Sequence, residues 1–291
     1  MRKDRPNLVL FVLTTALSCG AVATRAADQT AEKYSLRYKF QMGEVLRYQV
    51  KHATDIRTTI EETTQQAESN SESVKAWKVT DVLPSGEMEF VHVVETVKMS
   101  NTVPNRGTTK YNSETDKTPP VGFEQAARAV GVPLSVVRIK PDGEIVEREE
   151  KHPQPQSTED MPITLRLPPE AIAVGEKWDA TFDVEVQSRS KVKKKVKTRR
   201  VCTLKSVKAG IAKINVEYQI LSPVSAYIES QLVQKLTKGT VRFDIDAGRT
   251  VSQRYDADRR VIGFSGKASS MHFVSRFEER LLKPGERVAL R

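Results

Sequence analysis

Four histidines and two pairs of alternating aspartates are the groups in this 291-residue chain whose types invite chemistry. His52, His92, His152 and His272 stand far apart, and none has the spacing to another His or Cys that a shared metal ion requires. Asp244-Ile-Asp246-Ala-Gly248 and Asp256-Ala-Asp258 are better placed, because alternate residues of a strand face one side and would offer two carboxylates to a hard cation. Neither pair is followed by the remaining ligands of a calcium loop. Asp ahead of Gly at a hairpin is ordinary turn chemistry, and Asp256 and Asp258 are read as a tight turn whose charge is balanced by Arg259 and Arg260. The chain has no Gly-rich phosphate loop, nucleophile elbow or His-Glu-x-x-His run. Cys202 sits in the strand-like run Arg200-Val-Cys-Thr-Leu-Lys205 without a neighbouring base, which predicts a buried, inert thiol. No catalytic residue, metal ligand or cofactor is assigned, and the expectation is a protein that is not an enzyme.

Ligand contact falls to two other sets of residues. Tyr38, Phe40, Tyr48, Trp77, Trp178 and Phe182 lie on predicted strands, where a curved sheet would turn its concave face, and they are the candidates for lining an apolar site. Core packing explains the same residues. Lys191, Lys193, Lys194, Lys195, Lys197, Arg199 and Arg200 form a run with no acid and are the candidates for meeting an anionic surface. The other reading of that run is a solvated hairpin.

The elements that must hold these residues are mostly strands. Leu36, Tyr38, Phe40 and Met42 share one parity, continued by Leu46, Tyr48 and Val50, and Phe182, Val184 and Val186 repeat the device. The pattern reads twice, over residues 34–148 and 163–282, with a polar, proline-containing linker at 149–162 and a tail at 283–291. Each stretch opens on a Gly-Glu pair, Gly43-Glu44 and Gly175-Glu176, and ends on a hairpin signal, Pro141-Asp-Gly143 and Asp246-Ala-Gly248. Short helices are predicted over Gly122–Val130 and Ser225–Leu236. The expected fold is mainly β: two homologous curved antiparallel sheets, half-barrel or sandwich-like, related by pseudo-symmetric duplication. The polar stretch Thr54–Lys75 is acidic where Arg189–Arg200 is basic, so the two hairpins are expected either to be independently solvated or to lie side by side, steering the halves together by charge.

Residues 1–26 have the layout of an export signal, with Arg2, Lys3 and Arg5 ahead of the apolar run Leu8–Leu13 and small residues ending at Ala26. An anchor through lipidated Cys19 is the alternative. The 16 residues from Leu8 to Ala23 fall short of a bilayer span. The formal charge of +10 drops to +7 without this segment, which holds four bases against one acid. Such an excess suits anionic envelope components and keeps a protein soluble; nucleic acid is not an expected partner of an exported chain.

Lys39-Phe40-Gln-Met-Gly43-Glu44 and Ile172-Ala-Val-Gly175-Glu176-Lys-Trp178 resemble the apolar-x-x-Gly-acid-x-aromatic openings of a group of uncharacterised bacterial exported proteins. In architecture the chain is also similar to periplasmic lipoprotein carriers and related lipid-binding half-barrels. That resemblance implies a curved antiparallel sheet closed by short helices over an apolar cavity. The function expected is therefore periplasmic or secreted, non-catalytic binding of a lipid or another amphipathic molecule. The alternative is a structural or interaction component of the cell envelope working through the basic hairpin.

Overall fold

Alternation becomes ladder pairing across almost the whole chain in the computed structural model, which describes residues 32–153 and 163–288. The signal-like segment, Cys19 and residues 154–162 of the linker lie outside the described residues. The protein is mainly β, as the period-two pattern predicts. The amino-terminal run holds β2 (Val45–Ile60), β3 (Thr63–Val82), β4 (Met88–Val103), β5 (Gly107–Asn112), the helix α1 (Glu124–Ala129), β6 (Pro133–Ile139) and β7 (Ile145–Glu150). The carboxy-terminal run holds β9 (Lys177–Gln187), β10 (Lys193–Lys208), β11 (Ile211–Ile220), the helix α2 (Ala226–Leu232), a 3-10 turn (Val233–Lys235), β12 (Lys238–Asp244), β13 (Arg249–Ile262) and β14 (Ser269–Leu281). A two-residue ribbon, β1 (Lys33–Tyr34) with β8 (Ile172–Ala173), stands apart.

The two runs are stretches of one antiparallel sheet. Its order is β7-β6-β4-β3-β2-β14-β13-β12-β11-β10-β9, with β5 folded back on β4, and it does not close into a barrel. The joint is the β2–β14 ladder, from Ser269 opposite Ile60 to Leu281 opposite Tyr48. One core serves both runs, since Tyr48, Trp77 and Phe90 belong to the same buried cluster as Leu204, Ile214 and Phe243. The sheet order also puts β14, β13, β12 and β11 between the acidic β2–β3 hairpin and the basic β9–β10 hairpin. The side-by-side expectation is thus corrected: Lys51 pairs with Glu72 and Lys193 with Glu185, each within its own hairpin.

Both Gly-Glu openings fold into the same turn. The Gly43 and Gly175 amides donate to Val79 and Leu204 on the next strand, and those residues' amides donate back to the Glu44 and Glu176 carbonyls. In each, the carboxylate accepts from the amide of the third residue before it (Gln41, Ala173). Positive φ at both glycines (+77° and +96°) explains the residue choice.

Residues 35–42 depart from the expectation of a ladder strand. Leu36, Tyr38 and Phe40 are buried as their parity predicts, but they form an extended segment against the sheet's concave side. Its backbone is tied to both closing turns: the Tyr38 amide donates to Pro141 and the Lys39 amide to Gly248. Met42 is 74% exposed because the chain has already turned towards Gly43. Gly143 is required here twice over, by a φ of +81° and because a Cβ would stand 2.5 Å from the Leu165 carbonyl oxygen.

Candidate functional site

Read on alternate residues, β10 crosses three environments. Leu204 and Cys202 belong to the main core, and Val196 belongs to a second cluster beneath α2 with Val184, Val186 and Leu232. Arg200 lies between the two, 6% exposed, beside a cavity of about 190 Å³. The main core stops short of the helix layer along the concave face, and that gap is the cavity.

Its apolar wall is Phe182, Tyr218, Tyr255, Phe277, Ile163 and Leu165. Lys75 and His92 come from the amino-terminal run, Arg200 and Glu279 from the carboxy-terminal one, and Gln234 and Lys235 from the 3-10 turn after α2. The side left open by the unpaired edges β7 and β9 is filled by residues 163–167. Thr164 Oγ1 donates to the Gly143 carbonyl at 2.8 Å, and the Leu167 amide donates to Asp142 at 2.7 Å. Across the gap, Trp178 Nε1 on β9 donates to the Arg166 carbonyl at 2.8 Å. The Tyr38 hydroxyl exchanges hydrogen bonds with both the amide and the carbonyl of Leu165. The seam is built of separate hydrogen bonds and of the ion pairs of Arg166 with Asp142 and Glu144, at 3.1 and 2.9 Å, rather than of a ladder.

Two cations meet this cavity in different ways. Lys75 Nζ is 2.5 Å from the carboxylate of Glu279, which is itself buried and accepts from Gln253 Nε2 at 3.0 Å. Lys75 also lies over the Tyr48 and Trp77 rings, at 5.4 and 5.1 Å, whereas Arg200 has rings without a carboxylate, its guanidinium carbon 4.9 Å from the Tyr218 centroid and 5.9 Å from that of Phe182. Among the described residues no carboxylate stands within ion-pair distance of it, and its Nε has no hydrogen-bond partner. Burial raises the Tyr218 hydroxyl above its usual range, while the Arg200 charge and a hydrogen bond from its guanidinium oppose that rise. Burial, reinforced by Lys75 and Arg148, lowers His92 to about 3, so its ring is neutral near pH 7. Arg148 adds to the positive character of the lining.

Of the six aromatics singled out by sequence, Phe182 lines the cavity. Tyr38, Phe40, Tyr48 and Trp77 are sealed in the core, where Trp77 stacks on Phe90 at 4.7 Å, and Trp178 is part of the seam. Tyr218, Tyr255 and Phe277 stand on three separate strands, and only the pairing of β11, β13 and β14 collects them. In sequence Arg200 belongs to the basic run 191–200. Alternation separates it: Lys193, Lys195, Lys197 and Arg199 take the outer parity, whereas Arg200 shares the concave face with Thr198 and Val196. Lys191 and Lys194 are exposed at the hairpin tip. On the outer face Lys195 stands opposite Glu185 and Lys197 opposite Asp183, Lys193 pairs with Glu185 at 2.9 Å, and Arg199 reaches Asp179 at 3.9 Å. β9 therefore neutralises most of that basic strip.

The aspartate pairs resolve into structure. Asp244 accepts from the Ala247 amide at the β12–β13 turn. Asp256 and Asp258 are mid-strand on β13 rather than in a tight turn, because β13 continues to Ile262. Asp256 accepts from Arg254 and Arg276, and Asp258 meets His272 Nε2 at 2.8 Å. Burial pushes the Cys202 thiol up to about 12, away from reactivity at neutral pH. Among the described residues no cluster of three His, Cys, Asp or Glu side chains is placed to hold a metal ion, and no helix is long and apolar enough to cross a membrane.

No family model matches the chain, and no curated protein matches it. Among solved structures it is similar to a chain of a lipovitellin structure concerned with lipid–protein interactions, at 14% identity over 87% of this chain, with a TM-score of 0.47. This chain spans 27% of the length of that one. It is also similar to DynF from the dynemicin biosynthesis pathway of Micromonospora chersina, at 7% identity over 88% of each chain, with a TM-score of 0.23. A third likeness is to a DUF1329 family protein from Desulfovibrio piger, at 8% identity over 79% of this chain and 83% of that one, with a TM-score of 0.15. At TM-scores below 0.5, these likenesses bear on neither the fold nor the function of this chain.

Proposed function

We propose that the protein is an exported, non-catalytic binding module for a lipid or other amphipathic ligand, held in the concavity of the sheet. The observation that carries the reading is the cavity of about 190 Å³ between the main core and the α2 layer, with aromatic and aliphatic walls and charged groups at defined points. Such a mixture of apolar wall and few polar anchors is what a small-molecule site needs. The size favours a ligand that inserts one chain or ring, since a dry cavity of about 150 Å³ accepts one benzene.

The test is native mass spectrometry of the mature protein purified from its own envelope fraction, with a solvent extract analysed beside it. A reproducible added mass that matches an extracted amphiphile is expected. Thr237→Phe, which fills the cavity from a buried lining position, is expected to abolish that mass. A bare protein that also ignores added lipids would sink the reading. It would favour the envelope-interaction alternative, in which the exposed tip residues Lys191 and Lys194 are the working surface.

A further inference from the structure

The deeply buried pair at this cavity accounts for its own charge. Lys75 and Glu279 neutralise each other, and Gln253 completes the Glu279 carboxylate. His92 is neutral. Arg200 brings a full, permanent charge to a position only 6% exposed, with ring faces and one tyrosine hydroxyl as its company. Burying a guanidinium without a carboxylate is strongly unfavourable, and ring faces return only part of the lost hydration. Its Nε is unsatisfied beside an open volume. The planar donor fork of arginine matches an oxyanion through two parallel hydrogen bonds, a match no lysine provides.

We propose that Arg200 is the headgroup anchor of the cavity and that the ligand is a small single-tailed amphiphile with an oxyanion head, a carboxylate or phosphate monoester on one short chain or ring. The inference rests on the cavity being an amphiphile site, and adds the sign of the head and the residue that holds it. Tyr218 and Phe182 flank the guanidinium and fix its plane, so the head enters edge-on to the fork while the tail lies against Tyr255, Phe277 and Leu165. Arg148 contributes long-range attraction from the same lining. Lys75 is already committed to Glu279 and is not the anchor.

The experiment is calorimetric titration of octanoate, octan-1-ol and inorganic phosphate into the mature protein, R200Q and R200K, with melting curves of each unliganded protein. Octanoate is expected to bind at least about tenfold more tightly than octanol, and inorganic phosphate at neither strength. R200Q is expected to bring octanoate down to the octanol level, with R200K between. Unliganded R200Q is expected to melt at or above the parent temperature, because an unpaired buried charge has been removed, an outcome a purely structural arginine would not produce. Equal binding of octanoate and octanol would overturn the anchor and leave the amphiphile cavity standing. Binding of neither would overturn both. Phosphate binding as tight as octanoate would replace the amphiphile by a free oxyanion, and a lower melting point for R200Q with its headgroup preference intact would make Arg200 structural.

Discussion

The concave face is aromatic in both of its parts, yet one part is filled and the other is not. Around Trp77, the rings of Phe90, Tyr48 and Phe40 lie 4.7, 5.2 and 6.1 Å away, and Tyr38 sits edge-on to Phe243 at 5.3 Å. Around Arg200 the contacts loosen: Phe182 and Tyr218 are 6.0 Å apart, Tyr255 and Phe277 6.3 Å, and the rings face a cation and a void. Aromatic residues therefore do not mark a site by themselves. What separates the two parts is whether the space beyond the rings is closed by a paired group, as Lys75 with Glu279 closes it over Tyr48 and Trp77, or left open, as it is beside Arg200.

The same contrast divides the two buried cations, and the largest expected effect would break it. Lys75→Met leaves Glu279 buried without its cation and is expected to lower unfolding stability by about 3–5 kcal/mol, whereas the double variant Lys75→Met with Glu279→Leu recovers most of the loss. Urea unfolding of the three proteins measures this; a double variant as unstable as the single one would show that the pair is not self-contained. Trp77→Ala is expected to lose about 3–5 kcal/mol by opening a hole in the filled part. Phe182→Ala, at a half-buried position, is expected to lose less than about half of that while abolishing octanoate binding. Matching stability losses would erase the distinction between the two parts.

A smaller effect sharpens it. His92 sits in the lining with its pKa lowered to about 3 by burial, with Lys75 and Arg148 as lesser causes. Its contribution to stability is complete above the ordinary value of 6.5 and is lost as pH falls from there towards about 3. His92→Gln is expected to flatten the stability profile across that window, read by denaturant midpoints at successive pH values; an unchanged acid limb would place the responsible proton elsewhere. Least of all, replacing Lys193, Lys194 and Lys195 by Gln is expected to move stability by under about 0.5 kcal/mol and leave ligand uptake intact. A large loss of either would tie the outer strip to the cavity.

Much of the architecture was legible because strands announce themselves locally. The Gly-Glu openings, the closing turns at Gly143 and Gly248, both helices and the two long hairpins all stand where spacing and turn chemistry predict. The β2–β14 joint was not legible, since nothing local tells Tyr48 that Leu281 will be its partner. Residues 35–42 show the limit of alternation: it predicted which side chains are buried and not that the segment leaves the ladder to cross the concave face. For the site, period-two counting applied strictly to β10 separates Arg200 from Arg199, so that signal was present. The ring of Tyr218, Tyr255 and Phe277 was not, because it exists only after distant strands pair.

That joint also governs when the molecule comes into being. The central rungs of the sheet tie residues near the start of the described chain to residues near its end, with Tyr48 opposite Leu281 and Ile60 opposite Ser269. Long-range pairings of this kind form slowly, after the entropy of closing a long loop has been overcome. A growing chain that lacks β14 has an unpaired β2 edge, no Glu279 for Lys75 and no Phe277 in the wall. The cavity wall is thus complete only once β14 has found β2, because Phe277 and Glu279 of that strand belong to its lining.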